Sequence, residues 1–243
     1  MTDPKVGRRD FIKTAVVGGA AAATTAGGIA PPGAQAQEQP ANAAAAQTPE
    51  PNDGYSFLNL EEAAFVEALV DHMVPEDEFT PKGTDVGVNI FIDRALAGAW
   101  GKGDRLYRSG PWREGVPAQG YQLPLTPAEL YREGIKLTNA HCTTTYGRSF
   151  DRLDAAQREE VLIALSAREI DFGSEAVARE FWSILYQTVM EGMFSDPIYG
   201  GNRNKVGWRM IGFPGVIGFN RENVKNYLDR ELPGDPVSIE DMS

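Results

Sequence analysis

The side chains that could do nucleophilic, acid–base or metal chemistry form a short inventory: Cys142, His72 and His141, and the carboxylates. His141 and Cys142 are adjacent. A helix sets neighbours about 100° apart, so they are poorly placed as base and nucleophile. His72 lies near Asp71 and Glu76, a combination with metal-ligand chemistry, but a histidine on a solvated helix end is the simpler account. Glu61, Glu62, Asp71, Glu76, Asp77 and Glu78 read as a solvated acidic face, with a carboxylate hydrolase as the alternative. The single cysteine excludes a disulfide framework, a four-cysteine zinc site and an iron–sulfur cluster held by this chain alone. Gly200-Gly201-Asn202 lacks the G-x-G-x-x-G spacing of a dinucleotide site. A Walker loop and the C-x-x-C-H haem motif are both missing, so no cofactor site is expected in this chain. A formal net charge of -11 excludes a general nucleic-acid binder, which needs a basic stripe for phosphates.

The first residues read as an address. Arg8-Arg9-Asp10-Phe11-Ile12-Lys13 is a basic start, followed by an Ala/Gly/Val stretch to about Ala30 and the small-residue pattern Ala34-Gln35-Ala36. Arg8, Arg9, Phe11 and Lys13 together resemble a twin-arginine export signal, with cleavage expected after Ala36. The apolar stretch is too weak for a membrane span, which takes about 20 strongly apolar residues, so the mature chain has no span of its own. Loss of residues 1–36 removes Lys5, Arg8, Arg9 and Lys13 against Asp3 and Asp10, leaving the mature chain two charges more negative. That favours solubility and argues against direct adhesion to an anionic membrane. The twin-arginine route carries folded cargo, yet this chain shows no cofactor motif that would require prior folding.

Residues 37–54 are Gln, Pro, Ala and Asn with acidic groups, a disordered leader. Residues 55–243 form one domain, mostly α, with about five or six helices and long Gly/Pro/aromatic-rich loops. Asn59 and Glu62 make a capping box, and Phe65, Val66, Leu69, Val70 and Met73 follow at helical spacing until Pro75. A loop is expected over Glu76–Gly87, then a helix over Val88–Ala99 with Phe91, Ile92, Ala95 and Leu96 inward. Thr126-Pro127-Ala128-Glu129 starts a helix that places Tyr131, Ile135, Thr138 and Cys142 on one face. Asp154 caps the next, with Val161, Leu162 and Leu165 inside. A further helix is expected over Glu175–Glu191, carrying Val177, Phe181, Ile184, Leu185 and Val189.

Two connections are unusual. Residues 100–125 have no period and interleave Trp100, Tyr107, Trp112 and Tyr121 with Gly and Pro. Loops this long in a compact domain are uncommon and often functional. The second segment runs from Glu191 to Phe219. It holds seven glycines between Gly192 and Gly218, five large aromatics (Phe194, Tyr199, Trp208, Phe213, Phe219), and the donors Asn202, Arg203, Asn204 and Arg209. Glycine at this density supplies positive φ or close backbone approach. The segment is either a binding surface or a buried plug.

The leader, Met73-Val74-Pro75, and above all Gly192-Met193-Phe194-Ser195-Asp196-Pro197-Ile198-Tyr199-Gly200-Gly201-Asn202-Arg203, with Gly207-Trp208 and Gly212-Phe213-Pro214-Gly215, resemble the gluconate 2-dehydrogenase subunit 3 family from roughly Leu58 to Leu228. The resemblance implies a non-catalytic small subunit of a periplasmic, membrane-associated dehydrogenase for a sugar, polyol or sugar acid. FAD is then expected in the partner catalytic subunit, a flavoprotein of the glucose–methanol–choline type. A multihaem cytochrome c subunit is a further expected partner. The resemblance further implies that the small subunit supports assembly of the large one and its export through the twin-arginine translocase.

Aromatics and arginines anchor protein contacts most strongly, which points to Trp100, Trp112, Tyr199, Arg203, Trp208, Arg209 and Phe213 as partner-interface candidates, with internal packing the alternative for each. Cys142 is open between a plain buried thiol and an intersubunit disulfide, since a lone thiol in an oxidising compartment is at risk. The rival readings are a free-standing periplasmic sugar-binding protein closed by residues 100–125, and the carboxylate-dependent hydrolase.

Overall fold

The structure is a computed structural model that describes residues 54–242 apart from 114, 217–220 and 231. The export signal (Arg8, Arg9, Phe11, Lys13), the leader to residue 53, Gly218 and Phe219 lie outside the described residues. Eight α-helices are described: α1 Leu60–Met73, α2 Gly83–Val86, α3 Val88–Ala97, α4 Pro127–Tyr146, α5 Ala155–Ala167, α6 Glu175–Phe194, α7 Val206–Ile211 and α8 Arg221–Asn226. Among the described residues the one β pairing is an isolated parallel bridge, Gly215 with Val237.

Local chemistry starts the long helices where the cap signals stand. Asn59 accepts from the Glu61 and Glu62 amides while Glu62 returns a bond to the Asn59 amide. Thr126 with Glu129, and Asp154 with Gln157, close the same reciprocal box. Each box satisfies two otherwise orphaned donors and contributes about 1 kcal/mol. α4 stops at Gly147, whose φ of 74° only glycine adopts without strain.

The core forms where α1, α3, α4, α5 and α6 turn their apolar stripes together. Phe65, Leu69, Ile92, Leu130, Tyr131, Leu165, Phe181 and Leu185 are fully buried. Each contributes roughly 1.5–3 kcal/mol by leaving water. Phe65 meets the Phe150 ring at 4.8 Å, and Tyr131 meets Phe181 edge-on at 6.0 Å. Gly134 lets α4 and α6 close, because a Cβ there would stand 2.2 Å from the Phe181 ring.

Three expectations need correction. Gly83–Val86 is a turn of helix inside the expected 76–87 loop; four residues are too few to show a period. The third helix ends at Ala97, and its buried side is Val88, Asn89, Ile92, Asp93 and Leu96, with Phe91 and Ala95 only part-buried. The apolar pattern pointed about one position away because two polar residues occupy the inner face. The α6 helix runs through Glu191 to Phe194, taking the first residues of the glycine-rich segment with it. Gly192 is tolerated there because Val88 and Phe91 of α3 pack over it, and a Cβ would come 2.9 Å from Val88 Cγ1.

Candidate functional site: the glycine-rich block and the C-terminal tail

From Ser195 to Gly215 the chain folds back on the end of α6, and its centre is a buried asparagine. Asn202 has no exposed surface. Its Nδ2 donates to the Ser195 carbonyl at 2.8 Å, and its Oδ1 accepts from the Gly207 amide at 2.8 Å. Its φ of 46° is left-handed, which asparagine tolerates better than most residues. The glycines beside it allow backbone-on-backbone contact. A Cβ on Gly201 would stand 2.2 Å from the Gly192 carbonyl oxygen, and one on Gly207 would stand 2.2 Å from that of Met193. Both obstacles are main chain, which cannot swing aside.

The C-terminal tail is bound to this block through polar contacts. Gly215 pairs with Val237, whose amide donates to the Pro214 carbonyl and whose carbonyl accepts from Val216. Asp196 caps the short turn Pro197–Tyr199 and also accepts from the Ile239 amide at 2.9 Å. Lys205 donates to the Pro236 carbonyl at 3.0 Å and to Asp241 at 2.6 Å. That lysine, followed by hydrogen bonds from Ser238, pulls the Asp241 carboxyl down to about 2. The clasp is therefore charged throughout the neutral range and is lost only as the pH falls below the ordinary carboxylate range.

The structure separates the candidate residues into three places. Tyr199, Arg203, Trp208, Arg209 and Phe213 all belong to the glycine-rich block. Trp208 is an internal group: it is 4% exposed, and its indole donates to the Phe194 carbonyl at 2.7 Å. Phe213 packs edge-on against it at 5.2 Å and keeps an exposed face. Arg209 bonds the Asn204 carbonyl and reaches Asp235 at 3.5 Å. A cleft of about 450 Å³ lies here, lined by Trp208, Arg209, Phe213, Tyr227, Pro233 and Asp235 among others. Tyr199 and Arg203 are exposed.

Trp100 and Trp112 sit in the 100–125 connection, each with more than a third of its surface exposed. Trp112 helps line a shallow cleft with Gln122 and Leu123 on one side and Ser174 and Arg179 at the start of α6 on the other. Tyr121 anchors this connection by donating to the Leu125 carbonyl at 2.7 Å.

Cys142 occupies the third place, the inner face of α4, with no exposed surface. Burial pushes its thiol up to about 11. A bridge to a second chain would need this face of α4 to open. The folded chain is expected to resist a disulfide reagent at pH 8, since thiolate is depleted roughly a hundredfold and access is blocked. The same chain in denaturant should react stoichiometrically, and equal rates in both states would contradict the burial. The raised thiol also favours the fold below the ordinary cysteine range, an effect lost as pH climbs toward 11.

Four of the six carboxylates weighed for hydrolysis have scaffold contacts, Glu61 by accepting from Asn139 at 3.2 Å. Glu62 closes the α1 box and meets Arg132 at 3.3 Å. Asp71 accepts from the Thr84 amide and from Lys82. Asp77 caps its own turn through the Phe79 and Thr80 amides. His72 lies 2.8 Å from Glu159. Among the described residues no three His, Cys, Asp or Glu side chains group as a metal site, and no helix is long and apolar enough to cross a membrane.

Sequence reasoning missed Asp93. It is 2% exposed and accepts three backbone amides, from Ser56 at 2.7 Å, Phe57 at 2.8 Å and Leu58 at 2.9 Å. A carboxylate inside an apolar stripe was its only visible signal.

A helical body with a glycine-knotted block is the class these features define. The family model for gluconate 2-dehydrogenase subunit 3 matches residues 60–215. The chain belongs to that family, whose description is that of one subunit of a dehydrogenase. Neither a curated protein nor a solved structure matches the chain. The matched region ends at Gly215, so the tail clasped to the block lies beyond it.

Proposed function

We propose that this chain is the non-catalytic small subunit of a periplasmic, FAD-dependent sugar, polyol or sugar-acid dehydrogenase. It binds the flavoprotein catalytic subunit, stabilises it during assembly and carries it through the twin-arginine translocase. A multihaem cytochrome c completes the complex and ties it to the membrane. Membership of the subunit 3 family over residues 60–215 carries this reading.

The surface supports it. More than half of the large apolar side chains left exposed among the described residues lie between Tyr199 and Met242, including Met210, Ile211, Phe213 and Leu228. Concentrated exposed apolar surface marks a protein contact, and a buried, bonded block beneath it holds that surface in one shape. The mechanism is binding: the rigid block presents aromatic and arginine anchors, and the partner's surface covers them.

Export is tested with Arg8→Lys, Arg9→Lys in the native host. Dehydrogenase activity is expected to disappear from the periplasmic side while the flavoprotein remains in the cytoplasm. Unchanged periplasmic activity in that variant would remove the export role.

A further inference from the structure

The geometry points to Arg94 and Arg203 as a paired anchor for carboxylate side chains on the catalytic subunit, an inference that rests on the reading above. The two arginines come from different elements, α3 and the glycine-rich block, and each lies against one side of a single backbone contact. Gly87, at the start of α3 with φ 86°, presses against Gly200: a Cβ on Gly87 would stand 2.4 Å from the Gly200 carbonyl oxygen and 2.8 Å from Arg203 Nε. A Cβ on Gly200 would stand 3.0 Å from Arg94 Nη1. The two arginines therefore flank the Gly87–Gly200 contact, which only bare glycine lets the two main-chain segments make.

Neither guanidinium makes an ion pair or a hydrogen bond among the described residues. Arg132, Arg168, Arg179 and Arg209 each meet a carboxylate, and what Arg94 and Arg203 have beyond an unpaired charge is their place on the two sides of one backbone contact between elements. In a chain of net charge -11, carboxylates to pair with are abundant, yet the two cations at this backbone contact stand without one. Arg94 is part-buried and Arg203 exposed, so an incoming carboxylate would find one partly desolvated and one accessible donor fork. Tyr199, next to Gly200 in the chain, adds a 56% exposed aromatic. Tyrosine and arginine are the residue types that dominate contact energies.

The occupant is an acidic patch on the partner. In a chain whose overall charge is negative, a local basic spot favours an acidic surface in one register over others. Arg203 and Tyr199 are both exposed, which suits a side chain of a covering protein.

The test uses the full chain co-expressed with its catalytic subunit, affinity-purified at low and high salt. Arg94→Glu, Arg203→Glu is expected to weaken the complex by about tenfold or more at low salt, with the difference narrowing at high salt. Arg94→Lys, Arg203→Lys keeps the charge but not the donor fork and is expected to lose less binding than the Glu variant. Melting by circular dichroism confirms that both variants fold. A folded Glu variant that binds like the wild type overturns this inference while leaving the proposed function standing. A wild-type chain that captures no flavoprotein overturns both. Gluconate binding to the isolated chain through these arginines, with partner affinity unchanged by the Glu variant, also overturns it.

Discussion

Asn202→Ala is expected to lower the unfolding free energy by about 3–5 kcal/mol. Two costs combine. The part-buried Ser195 carbonyl and the buried Gly207 amide lose their partner, a side chain with no exposed surface. Each buried orphan costs about 1–3 kcal/mol. Alanine must also hold a φ of 46°, which adds about 1 kcal/mol. Against a total stability of about 5–15 kcal/mol, this is a large share. Denaturant midpoints of the purified chain would measure it. Asn202→Gly separates the terms: it restores the backbone freedom but not the bonds, and should recover only about 1 kcal/mol. If alanine cost less than 1 kcal/mol, the asparagine would not be the keystone of the block. The functional consequence follows from position, since Tyr199 and Arg203 stand on either side of this residue.

Asp93→Asn is expected to cost about 2–4 kcal/mol and to free the segment that leads into α1. The carboxylate accepts three amides with its two oxygens. An amide can accept with one oxygen only, so its NH₂ group must face a backbone donor. The affected residues are Ser56 to Leu58, where Phe57 also carries the Arg132 guanidinium 4.3 Å above its ring. Hydrogen exchange should show amides 56–58 losing protection while those of α4 and α6 keep theirs. Uniform loss across the core would mean that Asp93 supports the whole bundle rather than its entry.

The helices were legible because their signals are local. Asn59/Glu62, Thr126/Glu129 and Asp154/Gln157 needed only neighbours three residues away, and each cap formed as the spacing implied. The face of α4 was equally plain: Tyr131, Ile135, Thr138 and Cys142 are all buried. Asp93 was not legible, since its value depends on amides more than thirty residues earlier in the chain. The glycine-rich block was recognisable as special, but its choice between plug and surface was not. The structure divides it by residue: Gly201, Asn202, Gly207 and Trp208 are buried, while Tyr199, Arg203 and Phe213 are exposed. Only the contacts of Gly87 and Gly200, far apart in sequence, reveal that Arg94 and Arg203 flank one backbone contact.

The central claim is that this chain works as the binding partner of a flavoprotein. The most direct measurement is affinity purification of a tagged full-length copy from its native host under mild detergent, followed by an absorption spectrum and native mass of the product. The account predicts an equimolar complex with a larger subunit and the absorbance of bound flavin, together with sugar, polyol or sugar-acid dehydrogenase activity. Recovery of this chain alone, free of flavin and without loss of that activity from the membrane fraction, would contradict it.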